Sequence, residues 1–335
     1  MALFFLWLMV ISCQPKHMGR EASLLFTKPV HFPLVDYPAD NLPSKARIDL
    51  GRQLFYDPIL SRDSTISCAS CHHQDKAFTD GRTLSQGIAG KSGVRNVPTL
   101  TNVAYHPYFF AEGGSPTLEL QTIGPIETEH EMGFNAAELD ARVKGHPHYE
   151  ALAQQAYGRE MGIYVITRAL AVFERTFISG ASAYDQFIQG DTAALGADAR
   201  AGMALFFSDK TGCGTCHSGH NFTDYRIVNI GLYETYADEG LYRVSGKEQD
   251  KGKMKTPTLR NVALTAPYMH DGSLPDLQTV LQHFNTGGKG HVNQDSLIHP
   301  LGLTSGEMAQ LEAFLHSLTD KAFLQNPFFR PSASK

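Results

Sequence analysis

The 335-residue chain carries 29 Lys and Arg against 34 Asp and Glu, a formal net charge of −5, which argues against a nucleic-acid partner and leaves room for a basic protein one. Apolar residues make up 42% and charged residues 19%, as in an ordinary globular protein with a sizeable core, and the length suggests about two domains at ~150 residues each.

The chain opens on MALFFLWLMVIS, residues 1–12, an apolar run too short to span a bilayer, which needs ~20 residues. It reads as the apolar region of an export signal. The run ends in Val10-Ile11-Ser12-Cys13, resembling a bacterial lipoprotein signal in which Cys13 is lipidated and becomes the first mature residue. The alternative is a plain secretion signal with a chance cysteine, and no Lys or Arg precedes the run. Either reading exports the protein, places it in the periplasm and removes Trp7, the only tryptophan. Residues 14–45 then form an N-terminal arm.

Beyond the arm, the same elements occur twice. GRQLFYD (Gly51 to Asp57) precedes CASCHHQDKAFTD (Cys68 to Asp80), RNVPTL and the Gly-rich PTLTNVAYHPYFFAEGGSPTL (Pro98 to Leu118). In the second half GMALFFSD (Gly202 to Asp209) precedes CGTCHSGHNFTD (Cys213 to Asp224) and PTLRNVALTAPYMHDGSLPDL (Pro257 to Leu277). The two Pro-Thr-Leu segments align without gaps at a spacing of 159. The second half holds about 14 extra residues, assigned to the polar run DEGLYRVSGKEQDKGKMK from Asp238 to Lys255.

Strand signals are sparse. Ile166, Leu170, Phe173 and Phe177 fall at helical spacing, with Gly180 expected to end that helix. Thr304 and Glu307 form a capping box ahead of Met308, Leu311, Phe314, Leu315 and Leu318. The pattern predicts a mainly α protein with long irregular loops, divided into a first domain at 46–190 and a second at 191–335. The segment after Asn326 is expected to pack back on the first domain.

Four of the five cysteines lie in the two Cys-x-x-Cys-His units. A zinc site would need the two pairs to converge and would leave the following histidines unexplained. A thioredoxin-like site needs one such motif in a βαβ setting, which is missing. Covalent haem attachment uses every residue: two thioethers, and an imidazole for the iron. The sequence therefore predicts two haem c groups, at Cys68, Cys71 and His72 and at Cys213, Cys216 and His217.

A haem that does chemistry needs an open face. In LELQTIGPIETEHEMG (Leu118 to Gly133) the first half places Gln121, Pro125 and Glu131 beyond the Gly-rich turn, where the second has Val280 opposite Gln121 and Phe284 opposite Pro125. Cleaving a peroxide requires a proton to move between its oxygens, which a carboxylate can do. Glu131 is the candidate general acid–base and Gln121 a donor that orients peroxide or water. A solvated carboxylate at a helix start is the alternative for Glu131.

Over residues 40–325 the chain resembles the bacterial di-haem cytochrome c peroxidases and their MauG-like relatives. The resemblance lies in both Cys-x-x-Cys-His units, RNVPTL, LELQTIGPIETEHEMG, ALAVFERTFISG, TPTLRNVALTAPYMHDGS and GLTSGEMAQLEAFLHSLT. It implies two cytochrome c-like domains facing each other, with Gln121, Pro125 and Glu131 lining the distal side of the N-terminal, peroxidatic haem. It also implies a calcium ion between the haems, held by Asn96 and the carbonyls of Thr265 and Pro267.

Three positions depart from the family. Many members close the peroxidatic haem with a distal His until the other haem is reduced; the matching position is Ile88, which cannot ligate iron and implies a permanently open, MauG-like site. The inter-haem tryptophan falls at Ala111, leaving Tyr108, Phe110 or direct tunnelling. The distal ligand of the second haem falls at Phe284, so that haem is five-coordinate or takes His283, expected as a solvent-facing helix residue, Met269, expected in the core, or His270.

The resemblance implies reduction of hydrogen peroxide to water, with electrons from a small cytochrome c or copper protein entering through the C-terminal haem. A MauG-like oxidase acting on a protein or organic substrate is the second reading, a non-enzymatic electron carrier or redox sensor the third. A homodimer is compatible with either enzyme.

Overall fold

The computed structural model describes residues 28–331; the signal and Cys13 lie outside them. Helix α1 (Lys45–Tyr56) starts at Ser44, whose hydroxyl accepts from the Arg47 amide, and buries Ile48, Leu50, Leu54 and Phe55. It packs along α6 (Ile163–Glu174), which is buried nearly all round. Contact is that close because Gly51 faces α6: a Cβ there would lie 2.0 Å from the Ala169 carbonyl oxygen. Between them come α2 (Leu118–Gln121), α3 (Ile123–Glu127), α4 (Ala136–Val143) and α5 (Pro147–Tyr157), completing a core that includes Phe78, Met132, Phe134, Phe173 and Phe177.

The second core is built likewise. After α7 (Ala183–Ile188), α8 (Ala197–Phe206) packs on α12 (Ser305–His316), with Gly202 against the Gln310 carbonyl, 1.8 Å from where a Cβ would sit. Around them lie Phe222, Leu277, Leu281, Leu311 and Phe314, from α11 (Leu277–Thr286), α12 and the loops. Short helices α9 (Cys213–Cys216), α10 (Tyr242–Ser245) and α13 (Lys321–Gln325) complete the helical set. The sheet among the described residues is one antiparallel pair, β1 (Ile227–Val228) with β2 (Met254–Lys255).

Backbone states recur at the 159-residue spacing. Asn102 and Asn261 are left-handed at φ 58° and 59°, and each precedes a 3-10 turn, Val103–Tyr105 and Val262–Leu264. Phe110 and Met269 also have positive φ, inside isolated bridges joining Phe109 to Ser115 and Tyr268 to Leu274. Thr117 caps α2 and Asp276 caps α11.

The capping box at Thr304 and Glu307 forms as expected. Helix α6 ends earlier than expected, at Glu174 rather than before Gly180. Tertiary bonds take over: the Phe177 carbonyl accepts from the Asn102 amide, and the Ser179 and Gly180 amides donate to Asn102 Oδ1 and Asp320 Oδ2. Gly180 serves a close approach, its missing Cβ leaving room for Pro29. The run 238–255 is not pure loop, since it contains α10 and β2. The segment after Asn326 packs on the first core through Phe329, as expected, and Phe323 joins it there. No helix among the described residues is long and apolar enough to cross a membrane.

Candidate haem sites

Each Cys-x-x-Cys-His unit is one tight turn followed by a left-handed return. Cys68–Ser70 is a 3-10 turn closed by the Ser67 and Ser70 pair, and the His72 amide bonds back to the Cys68 carbonyl at 3.0 Å. The chain then reverses through Ala77 and Phe78, at φ 53° and 62°. This points the Phe78 carbonyl at the His72 ring, where it accepts from Nδ1 at 2.7 Å. A carbonyl can only accept, so the proton sits on Nδ1 and Nε2 carries the lone pair. The second unit repeats this. The His217 amide bonds to the Cys213 carbonyl at 2.9 Å, Phe222 is left-handed, and its carbonyl accepts from His217 Nδ1 at 3.0 Å. Burial lowers the pKa of both histidines, holding them as the neutral imidazoles a metal needs.

The four cysteines form no disulfide, and burial pushes their thiols above the usual range, Cys71 to about 11. They are therefore not activated thiolates of the thioredoxin kind. Among the described residues no three His, Cys, Asp or Glu side chains converge to hold a metal ion, which removes the tetrathiolate zinc reading. Two thiols and a directed imidazole spread around each turn fit a haem attached through both cysteines.

Glu131 lies on the first site's side of its loop, where its charge acts on the Cys71 thiol. Amide bonds from Glu131 and Gly133 to the Thr128 carbonyl, and from Met132 to Pro125, fix that loop. The Ile88 amide donates to the Glu131 carbonyl at 2.8 Å, and the Ile88 side chain is 8% exposed. Glycine at 87 and at 133 permits this approach, because a Cβ would strike the His130 carbonyl or Ile88 Cδ1. Glu131 is half-buried, and burial raises its pKa against a smaller opposing effect of His130. Gln121 ends α2, and Pro125 lies within α3, where its carbonyl accepts from the Met132 amide of this loop.

The second site differs. Phe284 is half-buried on α11. His283 is 9% exposed, correcting the expectation of a solvent-facing residue, and its Nε2 donates to the Ile230 carbonyl at 3.1 Å. Met269 is half-buried rather than in the core. His270 offers its carbonyl to the Asn96 amide at 2.8 Å.

Arg260 was not singled out from the sequence. Its guanidinium is fully buried, pairs with Asp185 at 2.5 Å, donates twice to the His220 carbonyl and lies over the Phe222 ring at 5.2 Å. The one available signal was the 159-residue spacing, which sets Arg260 against the uncharged Thr101 of the first half.

A family model described as di-haem cytochrome c peroxidase matches residues 45–193. The chain is 36% identical over 287 residues to the methylamine utilization protein MauG of Methylorubrum extorquens, covering 85% of this chain and 81% of that one. It is 33% identical over 290 residues to the cytochrome c551 peroxidase of Nitrosomonas europaea, covering 85% and 83%. A crystal structure of a MauG-like protein associated with microbial copper homeostasis superposes with a TM-score of 0.86 at 34% identity, over 90% of this chain and 97% of that one. The diheme peroxidase BthA of Burkholderia thailandensis, at 22% identity and a TM-score of 0.71 over 90% and 94%, shares the fold. The chain belongs to the di-haem cytochrome c peroxidase family, which includes MauG, and is an oxidoreductase of the peroxidase type with two haem c groups.

Proposed function

We propose that the protein reduces hydrogen peroxide to water at the site of Cys68, Cys71 and His72, with electrons from a small cytochrome c or copper protein entering through the site of Cys213, Cys216 and His217. The observation that carries this is the backbone bond between Ile88 and Glu131: it sets a residue whose side chain has no lone pair next to a half-buried carboxylate residue whose charge acts on Cys71 of the first unit. The haem supplies the redox chemistry and a Lewis-acidic iron. Glu131 takes the proton from the nearer peroxide oxygen and returns it to the farther one as that oxygen leaves as water. Gln121 orients the peroxide, and Pro125 holds the turn that presents Glu131.

Two domains, 46–190 and 191–335, related by the internal repeat, would face each other across the segment 105–113. The protein acts in the periplasm, tethered through Cys13. A calcium ion sits at the junction on Asn96 and the carbonyls of Thr265 and Pro267. Supporting this, the Asn96 amide nitrogen donates to the Arg82 carbonyl at 2.6 Å, which directs Oδ1 the other way; a hard oxygen set of this kind suits calcium.

The second reading, an oxidase acting on a protein or organic substrate, is favoured by Ile88, which leaves the site open without prior reduction. Steady-state turnover with reduced cytochrome c separates the two. Glu131→Gln should lower kcat/KM for peroxide by roughly 10²–10⁴ with both haems attached and the Soret band unchanged. Turnover retained within a factor of ten would remove Glu131 from the chemistry. Absence of cytochrome c oxidation in the parent protein would favour the oxidase.

A further inference from the structure

The calcium position has a partner that the sequence motifs do not name. Moving each of its residues by the spacing of 159 converts Asn96 into Lys255, Thr265 into His106 and Pro267 into Tyr108. The structure brings these three together. The Lys255 ammonium donates to the Tyr108 carbonyl at 3.0 Å and lies 3.4 Å from His106 Nδ1. The supporting backbone bonds obey the same spacing: the Asn96 amide donates to the His270 carbonyl at 2.8 Å, and the Lys255 amide to the Ala111 carbonyl at 2.6 Å. A carboxylate follows each of those carbonyls, Asp271 in one case and Glu112 in the other. The spacing thus relates two positions at the junction: Lys255 of one half meets the Tyr108 and Ala111 carbonyls and the His106 ring of the other, and the backbone bond from Asn96 to the His270 carbonyl crosses between the halves in the same way.

We propose that the Lys255 ammonium is a tethered cation filling one of two matched cation positions, the other being the Asn96 position where calcium binds. The proposal rests on the calcium reading above for the second position only. Lysine reaches where asparagine does not, so its charge occupies the place that a metal takes when the side chain is short. The Tyr108 carbonyl accepts from that charge, and Glu112, bonded to Arg95, favours it through space. Burial draws the Lys255 pKa down to about 8, opposed by Glu112, so the group is charged at neutral pH. His106, deeply buried and with Nε2 unbonded, has its pKa lowered by burial and by Lys255 itself, which keeps Nδ1 free to face the ammonium. The charge pins the segment from Tyr108 to Ala111, the stretch between the two haem units where the family's tryptophan would fall.

The test counts calcium in the full-length di-haem protein after chelation and reloading, and reads the thermal midpoint with and without the ion. Lys255→Asn should bind one calcium more than the parent and regain in calcium the stability it loses in chelator. Lys255→Met should lose several degrees that calcium does not restore. Asn96→Lys should bind one calcium fewer and become indifferent to chelator. No added calcium in Lys255→Asn, or a Lys255→Met protein as stable as the parent, overturns the proposal. A parent that binds no calcium removes the Asn96 reading alone, because the gain on Lys255→Asn is judged relative to the parent. Should Lys255→Asn fail to fold, the Lys255→Met and Asn96→Lys midpoints decide.

Discussion

At position 88 the chain has an isoleucine whose amide is bonded to the Glu131 carbonyl and whose side chain packs against Gly133. A histidine here would keep the backbone bond and place an imidazole lone pair within reach of the first site. Ile88→His should therefore convert the fully ferric protein from high-spin to low-spin at that haem, and abolish its stoichiometric reaction with peroxide until one electron is added. A variant that still reacts as isolated would show that another feature keeps the site open. Legibility at this scale follows from how far a residue's role depends on its partners. The haem units stand out because two thioethers and an axial imidazole require fixed covalent spacing. Arg260 and Lys255 do not, because a buried cation is defined by the carbonyls and carboxylates folding brings to it. His283 misled for the same reason: helical spacing cannot reveal a carbonyl such as that of Ile230, lying 53 residues earlier in the chain.

Helix pairs carry the two cores, and each crosses at a glycine. Gly51 on α1 and Gly202 on α8 occupy corresponding places in GRQLFYD and GMALFFSD, and in both cases a Cβ would enter the carbonyl of the opposing helix. Backbone cannot retreat as a flexible side chain can, so the helices must separate. Gly51→Ala and Gly202→Ala should each cost about 1–3 kcal/mol in chemical denaturation, despite alanine's better helix propensity. A stabilised variant would mean the helices slide apart freely. The capping box at Thr304 was readable because its partners lie three residues apart. The end of α6 was not, since it depends on Asn102 and Asp320, 77 and 140 residues away along the chain from the amides they bond. Local bonds announce themselves in sequence; tertiary bonds that replace helical ones do not.

The whole molecule is held as one body by elements that leave their own half. Phe323 and Phe329 reach the first core from the C-terminus, and Tyr56 and Gln74 hold that segment by its carbonyls. His31 of the arm bonds Asp185 at 2.8 Å. Arg95 of the first half bridges to Asp238 of the second at 2.6 and 3.0 Å while also holding Glu112. Burial alone would raise the Asp238 pKa, but the Arg95 hydrogen bonds and charge, with the Gly240 amide, bring it down to about 2. Its unfolded value is ~3.9, so the folded protein prefers the ionised form. That preference adds stability above pH ~3.9 and loses it as pH falls through about 2. Arg95→Met removes the partner and returns the Asp238 pKa upward. The stability difference between parent and variant should be roughly 1–3 kcal/mol at pH 7 and should shrink steadily between pH 4 and pH 2. Denaturant titrations of both proteins across that range measure it. A difference independent of pH would assign the role of Arg95 to packing and to Glu112, and would leave the two halves joined chiefly by backbone bonds and the C-terminal strap.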